Sequence, residues 1–300
     1  MFCFSMSSLE LFHSNFLEWL FVQNTDAFLK CFGVEPKDDK EYVIEREYYL
    51  DRSEVNGISK KWITDIAVFA NGKNDINTKD KDNLVLIIEN KIKSLPSKDQ
   101  LRFQAKFSPK SCKKVLLTLF EFPKTIEFEE SGFEHVAYSR LIEKIEKQNF
   151  DKYKLYVDDY CKMIRTMQEI LNNDKVVLEN KNNIFTFHKH SEDLYDCGLQ
   201  DAFRKYQAAQ LAQRAITAFE GKYPNDQEDT LVTGASLNHK RACTDIFLKM
   251  NKDLYAGVQI EHDQFRVCFM GKAIEKHFDK TGKLKEHTHT HYWTKSGMIC

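Results

Sequence analysis

The chain has 300 residues, enough for one large domain or two modest ones, and its 44 Lys and Arg against 45 Asp and Glu leave a formal net charge of −1. Bulk charge therefore argues neither for nor against a polyanionic partner. Eight cysteines stand singly without a Cys-x-x-Cys pair, which argues against a zinc ribbon or a disulfide scaffold and suits the reduced cytoplasm. The opening Met1-Phe2-Cys3-Phe4 lacks the charged start of a signal peptide, and no apolar run reaches the length of a membrane span.

In chain order, residues 9–31 read as a helix. Ser7-x-x-Glu10 fits a capping box, and Phe12, Phe16, Trp19 and Leu20 form the apolar stripe. Tyr42 to Leu50 alternates like a strand, with Val43, Glu45, Glu47 and Tyr49 on one face. Glu45 and Glu47 read either as edge-strand charges or as extra carboxylates near a metal. Asp51 to Lys61 reads as a polar hairpin loop around Gly57. Ile63 to Phe69 is the next strand, with Ile63, Asp65, Ala67 and Phe69 on one face. Ala70 to Asn83 is a polar surface insert whose aspartates do not follow calcium-loop spacing.

Leu84 to Lys91 is apolar on both faces through Ile88, the mark of a central strand covered on both sides. Ile87, Glu89 and Lys91 share one face of it, and Asn90 points the other way. Lys98 to Phe107 reads as a helix stopped near Ser108-Pro109, and Lys114 to Phe120 as another buried strand. Tyr138 to Lys147 and Tyr153 to Leu171 are helices, the second amphipathic through Tyr156, Tyr160, Met163, Ile164 and Met167.

The chemistry concentrates at the end of the Leu84 strand, where open α/β sheets bind ligands. Asp65 and Glu89, on neighbouring strands, make a hard oxygen site suited to Mg²⁺. Lys91 can reach a water or a phosphate beside that metal. Charges on an apolar strand need a partner or a metal; a plain salt pair, with Asp65 merely solvated, is the alternative. From Lys91 to Lys114 come eight basic residues, Lys91, Lys93, Lys98, Arg102, Lys106, Lys110, Lys113 and Lys114, against one acid, Asp99. Lys98, Arg102 and Lys106 follow i, i+4 spacing, with Gln100, Phe103, Gln104 and Phe107 on the other side. The run is either a phosphate-facing belt or a solvated helix face.

Asp65…Glu89-Asn90-Lys91…Gln100 resembles the PD-(D/E)XK nuclease superfamily, which has the restriction-endonuclease-like fold. It is most like the branch that reads Ile-Glu-Asn-Lys-Ile…Gln-Leu and opens Glu-x-x-His-Ser, here Glu10-Leu11-Phe12-His13-Ser14. The likeness covers about residues 9–172. It implies an α/β core with a central mixed sheet flanked by helices, in the order helix, three strands, helix, strand. It also implies that Asp65 and Glu89 hold one or two Mg²⁺ (or Mn²⁺) ions, with the Asn90 backbone carbonyl as a further ligand. Lys91 would orient or help deprotonate the attacking water and neutralise charge on the scissile phosphate. Gln100 would position that lysine or a phosphate. Glu10 matches the acidic residue that the first helix brings near the metal, and reads equally as a helix cap. Lys93, Lys98, Arg102 and Lys106 would meet nucleic acid. The activity implied is metal-dependent hydrolysis of phosphodiester bonds in DNA, in bacterial antiviral defence against foreign DNA. The competing expectation is a nuclease-fold module that binds nucleic acid or a protein without cleaving. Degenerate members usually lose the acid or the lysine, and here Asp65, Glu89 and Lys91 are all present.

The likeness fades in the polar stretch Asn172 to Asn183, which separates a nuclease-like core, residues 1–173, from a C-terminal α+β region, residues 184–300. There Gln200 to Phe219 reads as a helix. Thr230 to Leu237, Cys243 to Met250, Tyr255 to Glu261 and Phe265 to Phe269 read as an antiparallel meander, closed by a helix over Lys272 to Phe278. This region is expected to choose the substrate or to meet a partner, whether another protein or a second copy. Thr244-Asp245 and Ile260-Glu261 echo the site, but Asp263 stands where a lysine is needed, so the echo reads as chance. His287, His289 and His291 alternate and suit either a transition metal or an exposed polar strand. No Gly-x-x-x-x-Gly-Lys loop or Gly-x-Ser-x-Gly elbow suggests an ATPase or a serine hydrolase.

Overall fold

A computed structural model describes residues 10–55, 58–72, 80–93, 98–121, 132–148, 150–173, 192–196, 198–222, 230–233, 243–251, 254–261, 264–270 and 298–299. The expected first helix is two helices, α1 (Leu11–Gln23) and α2 (Thr25–Cys31). Asn24 breaks the run: its extended backbone leaves the helix, and its side chain accepts the Ala27 N–H to start the next one. The apolar stripe continues across this break, so periodicity alone runs the two together. Ser7 of the expected capping box lies outside the described residues. Glu10 occupies the N-cap position of α1 but makes no side-chain cap.

Strands β1 (Lys40–Val55) and β2 (Ile58–Gly72) form one long antiparallel hairpin, paired from Lys40↔Gly72 to Val55↔Ile58. The expected polar loop over 51–61 is therefore largely strand. Strand pairing is carried by the backbone, so polar side chains do not forbid it. Beyond β2, Lys81–Asn83 forms a single 3₁₀ turn, and β3 (Leu84–Lys91) follows as expected. Helix α3 (Lys98–Phe107) crosses over to β4 (Lys113–Thr118), which pairs parallel with β3. Strand β5 (Glu134–Ala137) pairs parallel with β4; four residues opening Glu-His carry too little pattern to be read from sequence.

The sheet order is β1-β2-β3-β4-β5, antiparallel over the first three strands and parallel over the last three. β3 is thus the centre, and its Leu84, Leu86, Ile87 and Ile88 are at most 1% exposed. Each such side chain contributes about 1.5–3 kcal/mol by leaving water, which fixes the strand that carries the site. Helices α4 (Tyr138–Glu146) and α5 (Lys154–Asn173) follow β5. Phe16 stacks on Tyr160 with ring centres 3.6 Å apart and so seats α1 on α5. Trp62 stacks on Phe103 at 4.1 Å and seats α3 against β2. The protein is thus mixed α/β, with a five-stranded mixed sheet flanked by helices.

The first compact unit holds these elements together with a short helix, α6 (Glu192–Asp196); a second unit begins at Phe203. The second contains most of α7 (Gln200–Lys222) and an antiparallel sheet of β6 (Thr230–Thr233), β7 (Cys243–Asn251), β8 (Leu254–Glu261), β9 (Gln264–Met270) and β10 (Met298–Ile299), ordered β10-β9-β8-β7-β6. Strands β6 to β9 follow the expected meander, and β10 adds a fifth strand that was not expected. Thr244 donates its hydroxyl to the Ala208 carbonyl at 2.7 Å, tying β7 to α7. Gly257 of β8 lies so close to Ile246 and Phe247 that no side chain fits there. Cys268 is disulfide-bonded, unlike the singly standing thiols expected, whereas Cys31, Cys112 and Cys161 are free and buried. The helix expected over 272–278 and His287, His289 and His291 lie outside the described residues. Among the described residues no helix is long and apolar enough to cross a membrane.

Candidate active site

Alternation along β3 sends Glu89 and Lys91 to one face and Asn90 to the other, and each face builds its own polar cluster. On the first, the Lys91 ammonium lies 2.7 Å from Glu89 Oε1, 3.1 Å from Glu10 Oε2 and 3.9 Å from Asp65 Oδ2. Asp65 comes from β2 and is held by the backbone N–H of Asn90, which donates to Oδ2 at 2.7 Å. Its Oδ1 accepts no hydrogen bond among the described residues. Glu89, 1% exposed at its side chain, is more fully engaged. Gln100 donates to its Oε1 at 2.6 Å and Gln104 to its Oε2 at 2.5 Å, both from α3. Gln104 also donates to the Ile63 carbonyl at 2.8 Å, so it locks α3 to β2 as well. Gln104 is the member of this cluster that sequence reasoning left unassigned; its i, i+4 relation to Gln100 on a face turned from the solvent was the signal for it.

Three carboxylates around one ammonium set the electrostatics. Burial first, and then the charge of Glu89, push the Asp65 carboxyl up to about 7, against the pull of Lys91 and the Asn90 N–H. Burial alone would lower the Lys91 ammonium. The charges of Glu89, Asp65 and Glu10 and the bond to Glu89 outweigh it and hold Lys91 well above its ordinary value. Lys91 therefore stays protonated across the physiological range, while Asp65 exchanges a proton near neutrality. Among the described residues no group of three His, Cys, Asp or Glu side chains forms a ready-made metal cage.

On the other face, Asn90 is fully buried and donates through Nδ2 to Ser14 Oγ at 3.1 Å. Tyr138 of α4 donates its hydroxyl to Asn90 Oδ1 at 3.1 Å, and Tyr160 of α5 donates to the Tyr138 hydroxyl at 3.4 Å. His13 Nδ1 lies 3.1 Å from the Tyr160 hydroxyl. Burial and the charge of Lys93 push His13 down to about 3, so it is neutral.

The basic run separates into unlike parts. Arg102 and Lys106 are exposed on α3, as expected of a surface belt. Lys93 is 2% exposed, so it is an interior charge beside His13 and not a surface contact for nucleic acid. The chain turns inward after β3, and a linear run of lysines does not report that turn. Lys113 pairs with Glu134 at 3.0 Å, and Lys114 donates to the carbonyls of Pro109 and Cys112 at 3.2 and 3.0 Å. The Lys98 side chain lies outside the described residues. Glu47 is exposed and takes a left-handed φ of 52° within β1, with no bond to the cluster. The structure thus brings together Glu10, Asp65, Glu89, Asn90, Lys91 and Gln100. No family model, curated protein or solved structure matches the chain.

Proposed function

We propose that the chain is a metal-dependent nuclease of PD-(D/E)XK type, with a restriction-endonuclease-like first unit acting on phosphodiester bonds in DNA. The observation that carries the reading is the convergence of Asp65, Glu89 and Lys91 at the C-terminal end of the central strand, with an excess of negative charge. Three carboxylates face one ammonium, and the charge of Glu89 adds to the larger effect of burial in raising the Asp65 carboxyl. The donor set is all oxygen, which suits Mg²⁺ or Mn²⁺. Asp65 Oδ1 is the open ligand, and Glu89 adds charge. In an extended strand the N–H and C=O of one residue face the same neighbour, so the Asn90 carbonyl is directed to the Asp65 side as well. These residues fit a hard divalent cation. Such a cation, when bound, supplies Lewis-acid polarisation of the phosphate and a water of lowered pKa.

The chain's own groups do the rest. Lys91 is held protonated in the metal-free protein, which suits it to orient the substrate phosphate and offset the charge building on it. Gln100 and Gln104 clamp Glu89 so that its charge faces Lys91. Glu10 holds the ammonium from the α1 side. DNA as substrate, and defence against foreign DNA as setting, rest on the resemblance alone.

The test is Mn²⁺ and Mg²⁺ titration by calorimetry together with single-turnover cleavage of DNA and RNA. Glu89→Gln keeps shape and removes charge, and is expected to abolish both metal binding and cleavage. Cleavage at the wild-type rate by Glu89→Gln would sink the proposal. A wild-type protein that binds nucleic acid but no divalent cation would establish the non-cleaving module instead.

A further inference from the structure

We infer that the buried ring Ser14–Asn90–Tyr138–Tyr160–His13 is a positioning device that sets the distance between Glu10 and Lys91 from the opposite face of the sheet. The hydrogen bonds have one consistent direction. The single Tyr160 proton is committed to Tyr138, and the Tyr138 proton to Asn90 Oδ1. Neutral His13 is therefore the donor to Tyr160 through Nδ1. Asn90 donates onward to Ser14, the residue next to His13 in α1, and the ring closes. Four elements, α1, β3, α4 and α5, are joined by five side chains, each at most 5% exposed. A fully satisfied network of this kind fixes one arrangement, because any shift strands a buried polar group.

The ring touches the candidate active site at two points. Asn90 is one: its side chain belongs to the ring, and its backbone N–H holds Asp65. The first turn of α1 is the other. The Glu10 carbonyl accepts the backbone N–H groups of both His13 and Ser14, at 3.0 and 3.1 Å, so Glu10 moves rigidly with those two side chains. The Glu10 carboxylate then reaches Lys91 around the end of β3. Loosening Asn90 from Ser14 or Tyr138 lets the first turn of α1 shift while Phe16 keeps the helix seated on α5, and Glu10 leaves the ammonium. Ser14, Tyr138 and Asn90 act through others and are positioning residues.

The test needs neither metal nor substrate, so its outcome is independent of whether the chain cleaves nucleic acid. Acylation of Lys91 by N-hydroxysuccinimide acetate is followed by peptide mass spectrometry in the folded full chain. Glu10→Gln is expected to raise Lys91 labelling by a factor of about 3–10, within the lower part of the coupling found between contacting groups. Tyr138→Phe and Ser14→Ala, which remove one hydroxyl each, are expected to do the same. Tyr138→Phe combined with Glu10→Gln is expected to go no further than Glu10→Gln alone, because both break one contact. Labelling of Lys114, tied to carbonyls elsewhere in the fold, is expected to stay at the wild-type level. Should Tyr138→Phe fail to fold, Ser14→Ala carries the comparison. Wild-type labelling of Lys91 in the hydroxyl variants, a multiplicative double variant, or Lys114 rising in step would each overturn the inference; the last would reduce the ring to general stability.

Discussion

Replacing Asp65 by Asn should change how the stability of the metal-free protein depends on pH. An aspartate in the unfolded chain titrates near 3.8, and in the fold it is pushed up to about 7, by burial first and by Glu89 second. A group whose folded value is raised contributes stability that is fully present below the unfolded value. That contribution is lost as pH rises through the folded value. From pH 5 to pH 7 the folded carboxyl keeps its proton while the unfolded one has lost it. Two pH units at about 1.4 kcal/mol each make a loss of about 2–3 kcal/mol between pH 5 and pH 8. Asp65→Asn is neutral at every pH and should lack this component. It also preserves an oxygen to accept the Asn90 N–H.

Urea unfolding in excess chelator at pH 5 and pH 8 measures the effect, with tryptophan emission as the probe. Trp62, stacked on Phe103, and Trp19 both report on the first unit. Titrating groups that do not act on Asp65, His135 among them, are common to the two proteins and drop out of the difference. The wild type should lose about 2–3 kcal/mol relative to the variant over this interval. Parallel curves, or a wild type that gains on the variant as pH rises, would refute the electrostatic account of the cluster.

Other outcomes follow from the same structure. Lys91→Ala should retain metal binding at pH 8 but slow single-turnover cleavage by roughly 10²–10³, the scale of losing one preorganised contact to the transition state; an unchanged rate would remove Lys91 from the chemistry. Metal binding to the wild type at pH 7 should release roughly half a proton from Asp65, read from calorimetric enthalpies in buffers of different ionisation heat; no buffer dependence would count against Asp65 as a ligand. Arg102→Ala with Lys106→Ala should weaken DNA binding and flatten its salt dependence, whereas Lys93→Met should alter thermal stability and leave the salt slope alone. Gly257→Ala should destabilise the second unit by about 1–3 kcal/mol through the clash with Ile246 and Phe247, seen as loss of amide-exchange protection in β7 and β8; wild-type protection there would contradict the close approach.

The central strand was legible because burial on both faces leaves a continuous aliphatic run, and β3 is such a run. The pairing of Asp65 with Glu89 and Lys91 was legible because alternation fixes a face residue by residue. Helix α3 was legible from its mixed spacing and its proline stop. The long β1–β2 hairpin was not, because the sequence over residues 51–61 is polar without an apolar alternation and backbone pairing leaves no trace in side-chain type. The break at Asn24 was hidden by an apolar stripe that continues through it. The burial of Lys93 was not legible because it stands in a run of basic residues that, in sequence, reads as one solvated stretch. The ring around Asn90 was beyond reach. Its members lie up to 147 residues apart, and Tyr138 and Tyr160 read as ordinary core aromatics.

One strand end serves both clusters, and charge explains why they must be separate. Three carboxylates and one ammonium carry a net −2 when all are ionised. A fold can hold that excess only by letting one acid keep a proton or by admitting a cation. Glu89 already accepts from Lys91, Gln100 and Gln104. Asp65, with one oxygen unengaged, is the place where proton and cation compete. That competition is useful only when the acids cannot relax apart. On the charged face Lys91, Gln100 and Gln104 hold the acids against their mutual repulsion. The uncharged face adds a second restraint, where Asn90 is held by groups with no charge to screen, and where the His13 that closes the ring is kept neutral by burial.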